Sequence, residues 1–358
     1  MTVRIGIVGL GKILDQYLAT FDRLPQAQVT AVADLDAARA EEVAAQVGAR
    51  ALSVEALVSD PEVDVVLNLT IPAAHAEVAH AAIAAGKPVY TEKPLAATAT
   101  DAFGVLEAAR AAGVRVGGAP DTVLGAGIQT ARAAVDAGRV GIPTSATATF
   151  ACPGHESWHP NPDFYYQAGG GPLLDMGPYY LTTLVTMLGE VASAVGVAGA
   201  AHETRTIGSG ARAGQSVPVD VATHVTGILT HAGGAISTVV MSFDTAGTEA
   251  PKIEVHGTKG SLSVPDPNRF DGDVRLRAQG SPEWVVLEPS AGDIPGGRGI
   301  GVVDMMTAGD EAGVRASGEL ALHVLEVMEG MLTSAETGRA VPISSRVQRP
   351  APVPLTRS

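Results

Sequence analysis

Gly6-Ile7-Val8-Gly9-Leu10-Gly11-Lys12-Ile13-Leu14 is the stretch on which the reading of this chain turns. An apolar run of buried-strand length, Val3 to Val8, leads into it. Ile13, Leu14, Tyr17, Leu18, Phe21 and Leu24 then recur at helical spacing, and Pro25 closes the helix. A second strand, Val29 to Ala33, ends in Asp34. Strand, glycine turn, helix, strand and acid together form the context in which G-x-G signals a dinucleotide site. Gly9 permits the tight turn. Gly11 lets the backbone approach a pyrophosphate seated on the helix N-terminus, with Lys12 and Ile13 beside it. Asp34, 25 residues after Gly9, is placed to accept from the adenosine ribose hydroxyls and to repel a 2′-phosphate. We therefore expect NAD, with NADP as the alternative because Arg39 lies close by. The third glycine position of the pattern is Leu14, so helix and strand should separate or shift there.

The alternation continues. Ser53 can cap a short helix to Ser59, and Val63 to Leu69 is a continuous apolar strand. Thr70-Ile71-Pro72-Ala73-Ala74-His75 forms the next turn, and a helix runs on to Gly86. Val89-Tyr90-Thr91 is a short β-prone run ended by Glu92-Lys93-Pro94, and the Thr100-Asp101 pair can cap a helix ending near Gly113. Val114 to Gly117 gives a further strand. Strands separated by helices at this spacing imply a doubly wound parallel sheet, a Rossmann-type dinucleotide-binding domain over residues 1–120. Ligands of such sheets bind beyond the carboxyl ends of the strands, which is where Lys93 falls.

Beyond residue 120 the pattern becomes that of an α+β domain, residues 121–358, with an open and mostly antiparallel sheet. A helix from Gly127 to Asp136 is closed by Gly138. Ser145–Phe150, Val219–Thr230, Ala235–Phe243, Ile253–His256 and Ser261–Val264 read as strands, joined by turns at Ala232-Gly233-Gly234 and Thr258-Lys259-Gly260. Asp266 to Gly301 reads as loop. A last amphipathic helix, about Glu319 to Glu336, starts after Ser317, ends at Gly338 and is expected to pack back on the first domain.

Composition narrows the function. The 358 residues carry a formal charge of -14, which disfavours nucleic acid and anionic membranes as partners. The single cysteine, Cys152, excludes an intrachain disulfide and a Cys-rich metal site. No signal-like start and no uninterrupted apolar run stand out, so a cytoplasmic protein is expected.

Gly169-Gly170-Gly171-Pro172-Leu173-Leu174-Asp175-Met176-Gly177-Pro178-Tyr179-Tyr180 is the second informative stretch. Three glycines and a proline suit a helix start, and Asp175 and Tyr179 then share one helical face. Pro178 is a point where that helix would kink or restart.

The glycine turn, Pro72 to His75, Glu92-Lys93-Pro94 and Gly169 to Tyr179, in that order, resemble the Gfo/Idh/MocA family of nicotinamide-dependent oxidoreductases. Tyr179 at the last motif position is similar to the branch that includes glucose–fructose oxidoreductase. The resemblance implies cofactor contacts from Gly9, Gly11, Lys12, Ile13, Asp34, Thr70, Pro72, His75, Glu92 and Lys93, and catalytic roles for Lys93, Asp175 and Tyr179. An asparagine and an arginine common in the family are replaced by Pro120-Asp121-Thr122-Val123, so nothing is carried over to Asp121. Oxidising an alcohol requires loss of a hydride and of the hydroxyl proton. A free tyrosine titrates near ~10 and needs its phenolate stabilised; an ammonium at Lys93 would do that, and burial would lower the lysine's own pKa. Either can be the base, and we favour Tyr179 with Lys93 as the tuner.

His155-Glu156-Ser157-Trp158-His159 matches H-E-x-x-H, but the prolines and glycine around it leave little room for the helix a zinc site needs, and no metal is expected. Between Arg139 and Arg205 there is no lysine or arginine. The stretch offers His155, Trp158, His159 and Tyr165 instead, which with Lys93, Asp175 and Tyr179 suit an uncharged sugar, glycoside or polyol better than a phosphate or carboxylate. A dinucleotide-sensing regulator without turnover is the alternative. The open sheet suggests a homodimer or homotetramer.

Overall fold

The structure, a computed structural model, describes residues 2–310 and 313–357, apart from the side chain of Arg357. The chain divides into two compact units. One runs up to Gln129 and also takes in Ala291–Leu322 and the stretch from Pro350 onward; the other comprises Thr130–Ser290 and His323–Arg349.

In the first unit, strands β1 (Val3–Val8), β2 (Ala27–Ala33), β3 (Arg50–Ala51), β4 (Val65–Asn68), β5 (Val89–Thr91) and β6 (Val116–Gly118) form one sheet. Its order is β3-β2-β1-β4-β5-β6, with every pair parallel. That order reverses between β1 and β4, and the crevice beyond their carboxyl ends is where a doubly wound sheet binds its ligand. The connections are α1 (Leu14–Phe21), α2 (Ala37–Val47), α3 (Val54–Ser59), α4 (Pro72–Ala84) and α5 (Ala99–Ala112). Ser53 caps α3 as expected, its side chain accepting from the Ala56 N–H. The cap of α5 is Thr98, two residues earlier than read, with its hydroxyl accepting from Asp101 N–H. Ile5, Ile7, Leu14, Tyr17, Val32, Val65, Leu67 and Tyr90 form the core of this sheet. Full burial of each aliphatic side chain contributes roughly 1.5–3 kcal/mol.

The second unit is built on a mixed, mostly antiparallel sheet. Its strands include β7 (Pro143–Ala151), β8 (Val191–Gly199), β11 (His224–His231), β12 (Ile236–Ser242), β13 (Ile253–Gly257), β14 (Gly260–Val264), β15 (Val274–Ala278), β16 (Val285–Leu287) and β18 (Val341–Pro342). Their order is β16-β15-β14-β13-β7-β12-β11-β8-β18, and only β7 and β12 pair in parallel. Two ribbons complete the strands: β9 (Thr204–Thr206) with β10 (Ser216–Pro218), and, in the first unit, β17 (Asp293–Ile294) with β19 (Thr356–Arg357).

Four further α-helices are found among the described residues. α6 (Ala126–Asp136) and α9 (Gly318–Thr337) each contain a boundary between the units, α7 (Pro172–Leu188) packs on β7, β11 and β12, and α8 (Ile300–Thr307) belongs to the first unit. α7 runs unbroken through Pro178, although the proline removes the N–H that would bond the Leu174 carbonyl. Among the described residues no helix is long and apolar enough to cross a membrane.

The Asp266–Gly301 stretch is less loop-like than its composition suggests. It holds β15 and β16, which extend the sheet edge, and leads straight into α8, whose Val302 and Met305 join the first unit's core. β8 is a further strand that the sequence pattern does not announce. The read strand Val219–Thr230 begins only at His224, since Val219 sits in the preceding loop.

Candidate active site

The glycine turn of the first unit is shaped by close contact. Gly9 has φ +91°, and a side chain there would meet the Leu69 carbonyl carbon and Thr70 nitrogen, each at 2.7 Å. Only glycine lets β1 turn this close to the end of β4. Gly11 is different: a Cβ there would meet nothing within 4 Å. Its smallness serves nothing inside the protein, which fits the approach of a ligand phosphate. Ile13 precedes α1 without a side-chain cap, and the N–H groups of Leu14 and Gln16 bond the carbonyls of Gly11 and Ile13, each at 3.1 Å. Leu14, at the third glycine position of the pattern, enters the core at 1 % exposure. Asp34 accepts from Leu10 N–H at 2.7 Å and from Asp36 N–H at 3.0 Å, tying the end of β2 to the glycine turn. Arg39 crosses the same turn, donating to the Leu10 carbonyl at 3.3 Å while Glu42 holds it at 2.7 Å. Lys12 is exposed beside the turn. These residues fit a bound dinucleotide.

The turns after β4 and β5 are bound to each other. Thr70 donates its hydroxyl to Asn68 at 2.6 Å, and the Asn68 amide donates to the His75 carbonyl at 3.0 Å. The fully buried His75 ring spans the two turns, with Nδ1 2.6 Å from the Pro94 carbonyl and Nε2 3.0 Å from that of Thr70. Burial holds its pKa below the ordinary histidine value. Pro72 opens α4 at the surface. Glu92 accepts from Tyr17 Oη at 2.7 Å and from the backbone N–H of Lys93 at 2.9 Å. Burial pushes the Tyr17 hydroxyl far above its usual pKa, so it stays a donor. Lys93 is half-buried and precedes a cis proline. Glu92 and His75 thus spend their hydrogen bonds on the protein, holding the backbone from which Lys93 projects.

Asp121 is fully buried. Its carboxylate accepts from Gly299 N–H at 2.7 Å and Gly301 N–H at 3.0 Å, anchoring the start of α8. Burial pushes its pKa up to about 6, against the pull of those N–H groups and of Arg298.

In the second unit, α7 sets Asp175 and Tyr179 one turn apart on one face. Tyr179 is 5 % exposed. Nε2 of His155 lies 3.3 Å from Oδ2 of Asp175, joining the loop after β7 to α7. The His155 ring packs edge-on against Tyr165 at 4.6 Å and Trp158 at 5.2 Å, and lies 4.6 Å from Phe243. His159 stands between Trp158, Phe164 and Tyr165, while Trp158 and Phe164 are 58 % and 54 % exposed. The loop is pinned beneath. Buried Glu156 accepts from Tyr166 Oη and from Arg205, and Arg205 also pairs with Asp244. Arg212 makes a bidentate pair with Asp163, at 2.6 and 2.9 Å. The cations bordering the loop are therefore engaged by carboxylates. His155 and Glu156 of the H-E-x-x-H run point to different partners, and no group of three or more potential metal ligands occurs among the described residues.

Residues 3–118 match the family model described as the oxidoreductase family, NAD-binding Rossmann fold. Residues 128–263 match that of the GFO/IDH/MocA C-terminal domain. The chain belongs to the Gfo/Idh/MocA family. Its first unit carries the family's NAD-binding Rossmann domain. Among curated Gfo/Idh/MocA relatives, the 1,5-anhydro-D-fructose reductase of Ensifer adhaerens is 33% identical over 265 residues, 72% of this chain and 74% of that protein. Inositol 2-dehydrogenase 3 of Saccharopolyspora erythraea is 40% identical over 154 residues, 41% of this chain and 44% of that protein. The match to that inositol dehydrogenase thus spans less than half its length. An NAD binding oxidoreductase from Klebsiella pneumoniae superposes with a TM-score of 0.83 at 26% identity, covering 96% of this chain and 99% of the other.

Three features of this arrangement carry no sequence signal of their role. Tyr17 read only as an apolar helix position. Asn68 read as part of a strand. The His155–Asp175 pair is separated by 20 residues, and only the fold brings the two side chains within 3.3 Å.

Proposed function

We propose that this protein is an NAD-dependent oxidoreductase moving a hydride between the cofactor and a secondary alcohol of an uncharged sugar, glycoside or polyol. Lys93 and Tyr179 form the acid–base pair, and Asp175 orients it. The bound nicotinamide supplies the hydride acceptor; the protein's own groups move the proton and hold the substrate. The observation that carries the substrate class is the loop beside α7. Its arginine neighbours are committed to Glu156, Asp244 and Asp163, while it displays aromatic faces and imidazoles. An anionic substrate normally requires an uncommitted, bidentate cation. Aromatic faces suit the apolar faces of a sugar ring, and polar tips suit its hydroxyls. The relatives named as acting on inositol and on anhydrofructose support the same class.

Steady-state kinetics with NAD and NADP on matched pairs, a sugar against its phosphate and its uronate, test this. We expect higher kcat/KM for the neutral member and for NAD. A clear preference for the charged member would overturn the substrate class, and tight dinucleotide binding without turnover of any polyol would favour a sensor instead. In the same assays Lys93→Ala and Tyr179→Phe should lower kcat roughly 10²–10⁴-fold with little change in NAD affinity, since general acid–base groups act in the transition state. Near-normal turnover of Tyr179→Phe would remove that residue from the pair.

A further inference from the structure

The chain is poor in aromatic residues, with two tryptophans, six phenylalanines and six tyrosines, yet half of these stand between residues 150 and 180. Several form a continuous row of rings. It starts at His155, whose Nε2 lies 3.3 Å from Oδ2 of Asp175 on α7 and whose side chain is only 14% exposed. From there the ring centroids follow at 5.2 Å to Trp158, 5.4 Å to His159 and 5.3 Å to Phe164. Tyr165 packs along the row, 4.6 Å from His155, 5.6 Å from His159 and 4.0 Å from Phe164. His159 is buried between its neighbours, whereas Trp158 and Phe164 are each more than half open to solvent.

These two rings are exposed on a braced loop. The N–H groups of Trp158 and His159 both donate to the His155 carbonyl, at 3.2 and 2.8 Å, and Gly208 N–H donates to that of Glu156 at 2.7 Å. Asp163, next to Phe164, is held by Arg212 at 2.6 and 2.9 Å. A single exposed apolar side chain is ordinary, but two large rings fixed side by side outside the core gain the fold little. Such a surface suits a ligand that presents an apolar face, and a pyranose or aryl ring does so. The spacing from one ring of the row to the next is comparable to the length of a pyranose ring.

We propose that Trp158 and Phe164 form a second subsite, and that the substrate is a glycoside carrying a further ring, a second pyranose or an aryl group, rather than a free monosaccharide. The proposal rests on the sugar-oxidising reading above. The reacting sugar lies by Asp175, at the covered start of the row, and the further ring lies on the two exposed side chains. The ion pair of Asp163 with Arg212 leaves no net charge beside Phe164, in keeping with a neutral ligand.

The test is a set of matched pairs: glucose, galactose, mannose and xylose, each against its α- and β-phenyl glycosides. For the sugar that is oxidised, kcat/KM should be at least about tenfold higher for one of its phenyl glycosides. Trp158→Ala should remove that advantage, chiefly through KM of the glycoside, because a subsite away from the reacting carbon binds ground and transition states alike. Trp158→Phe, which keeps a ring, should retain most of it. A free sugar used as well as its glycosides, or an advantage that survives Trp158→Ala, would overturn the subsite while sugar oxidation stands. So would a smaller particle by light scattering for Trp158→Ala, since the rings would then be covering a second copy. Fluorescence gives a readout without turnover. In Trp284→Phe the one remaining tryptophan is Trp158. Its emission should change saturably with the preferred phenyl glycoside and not with the free sugar at the same concentration; an unresponsive emission would overturn the proposal. If none of the sugars or glycosides is turned over with NAD or NADP, the oxidoreductase reading fails and the substrate claim falls with it, whatever the fluorescence shows.

Discussion

Asp121 places a carboxylate where water does not reach, and the consequence can be measured. Its pKa is pushed up to about 6 by burial, against an unfolded value near ~3.9. A raised carboxyl pKa means that the folded state holds its proton after the unfolded chain has released it. Folding stability contributed by this group is therefore present at low pH and lost as pH rises between the unfolded and folded values. From pH ~4.5 to ~7 the loss is about 2 kcal/mol. Asp121→Asn keeps an acceptor for Gly299 and Gly301 but cannot ionise. Urea unfolding at the two pH values should show the variant gaining about 2 kcal/mol relative to wild type on going to the higher one. An unchanged difference would mean that Asp121 is already ionised at low pH.

At the scale of elements, the turn from α7 into β8 is held by two buried histidines. His231 bonds the Gly189 carbonyl through Nδ1 at 2.8 Å, and His323 accepts Val191 N–H on Nε2 at 2.9 Å. Burial lowers the pKa of both. The sign is opposite to that of Asp121: below an unfolded value near ~6.5 the unfolded chain takes up protons that the folded one refuses, so stability falls with acid. His323→Gln should flatten the acid side of the Tm–pH curve, and an equally steep slope would exclude His323 as its source. The same region shows why some elements escaped the sequence. β8 reads Val191-Ala192-Ser193-Ala194-Val195-Gly196-Val197-Ala198-Gly199, three valines diluted by alanines and glycines, which are depleted in strands. Its pairing along β11, from His224 opposite Gly199 to Thr230 opposite Ser193, makes it a strand. α8 is hidden by Gly297, Gly299 and Gly301, which read as turn, and by a position set through tertiary contacts such as Asp121 with Gly299 and Gly301. The Rossmann half was legible because propensity, period and turn chemistry agree there residue by residue. In the candidate site the Asp175–Tyr179 spacing on one helix face was legible, whereas His155 and Asp175 meet only through the fold.

On the whole molecule, one surface of the large sheet calls for a partner. Val195 stands directly opposite Ile228, and Val197 and Ile236 lie on the neighbouring rows, each 40–70% exposed while the alternate residues are buried. Apolar side chains grouped on an open sheet are a common mark of self-association, and a twofold axis would place the patch against its own copy. We expect a homo-oligomer through this face. Light scattering should show more than one chain per particle for the wild type and a smaller particle for Ile228→Glu; a monomeric wild type would refute it.

The bond from Tyr17 to Glu92, and from Glu92 to the Lys93 backbone, joins the helix behind the glycine turn to the lysine of the proposed acid–base pair. Translated into the language of initial-rate plots, it predicts a compulsory order of addition. The nucleotide, by settling α1, sets the lysine before the alcohol arrives. Reduced nucleotide should then inhibit competitively against the oxidised form and noncompetitively against the polyol. In Tyr17→Phe, with the strut cut, the two substrates should begin to add in either order.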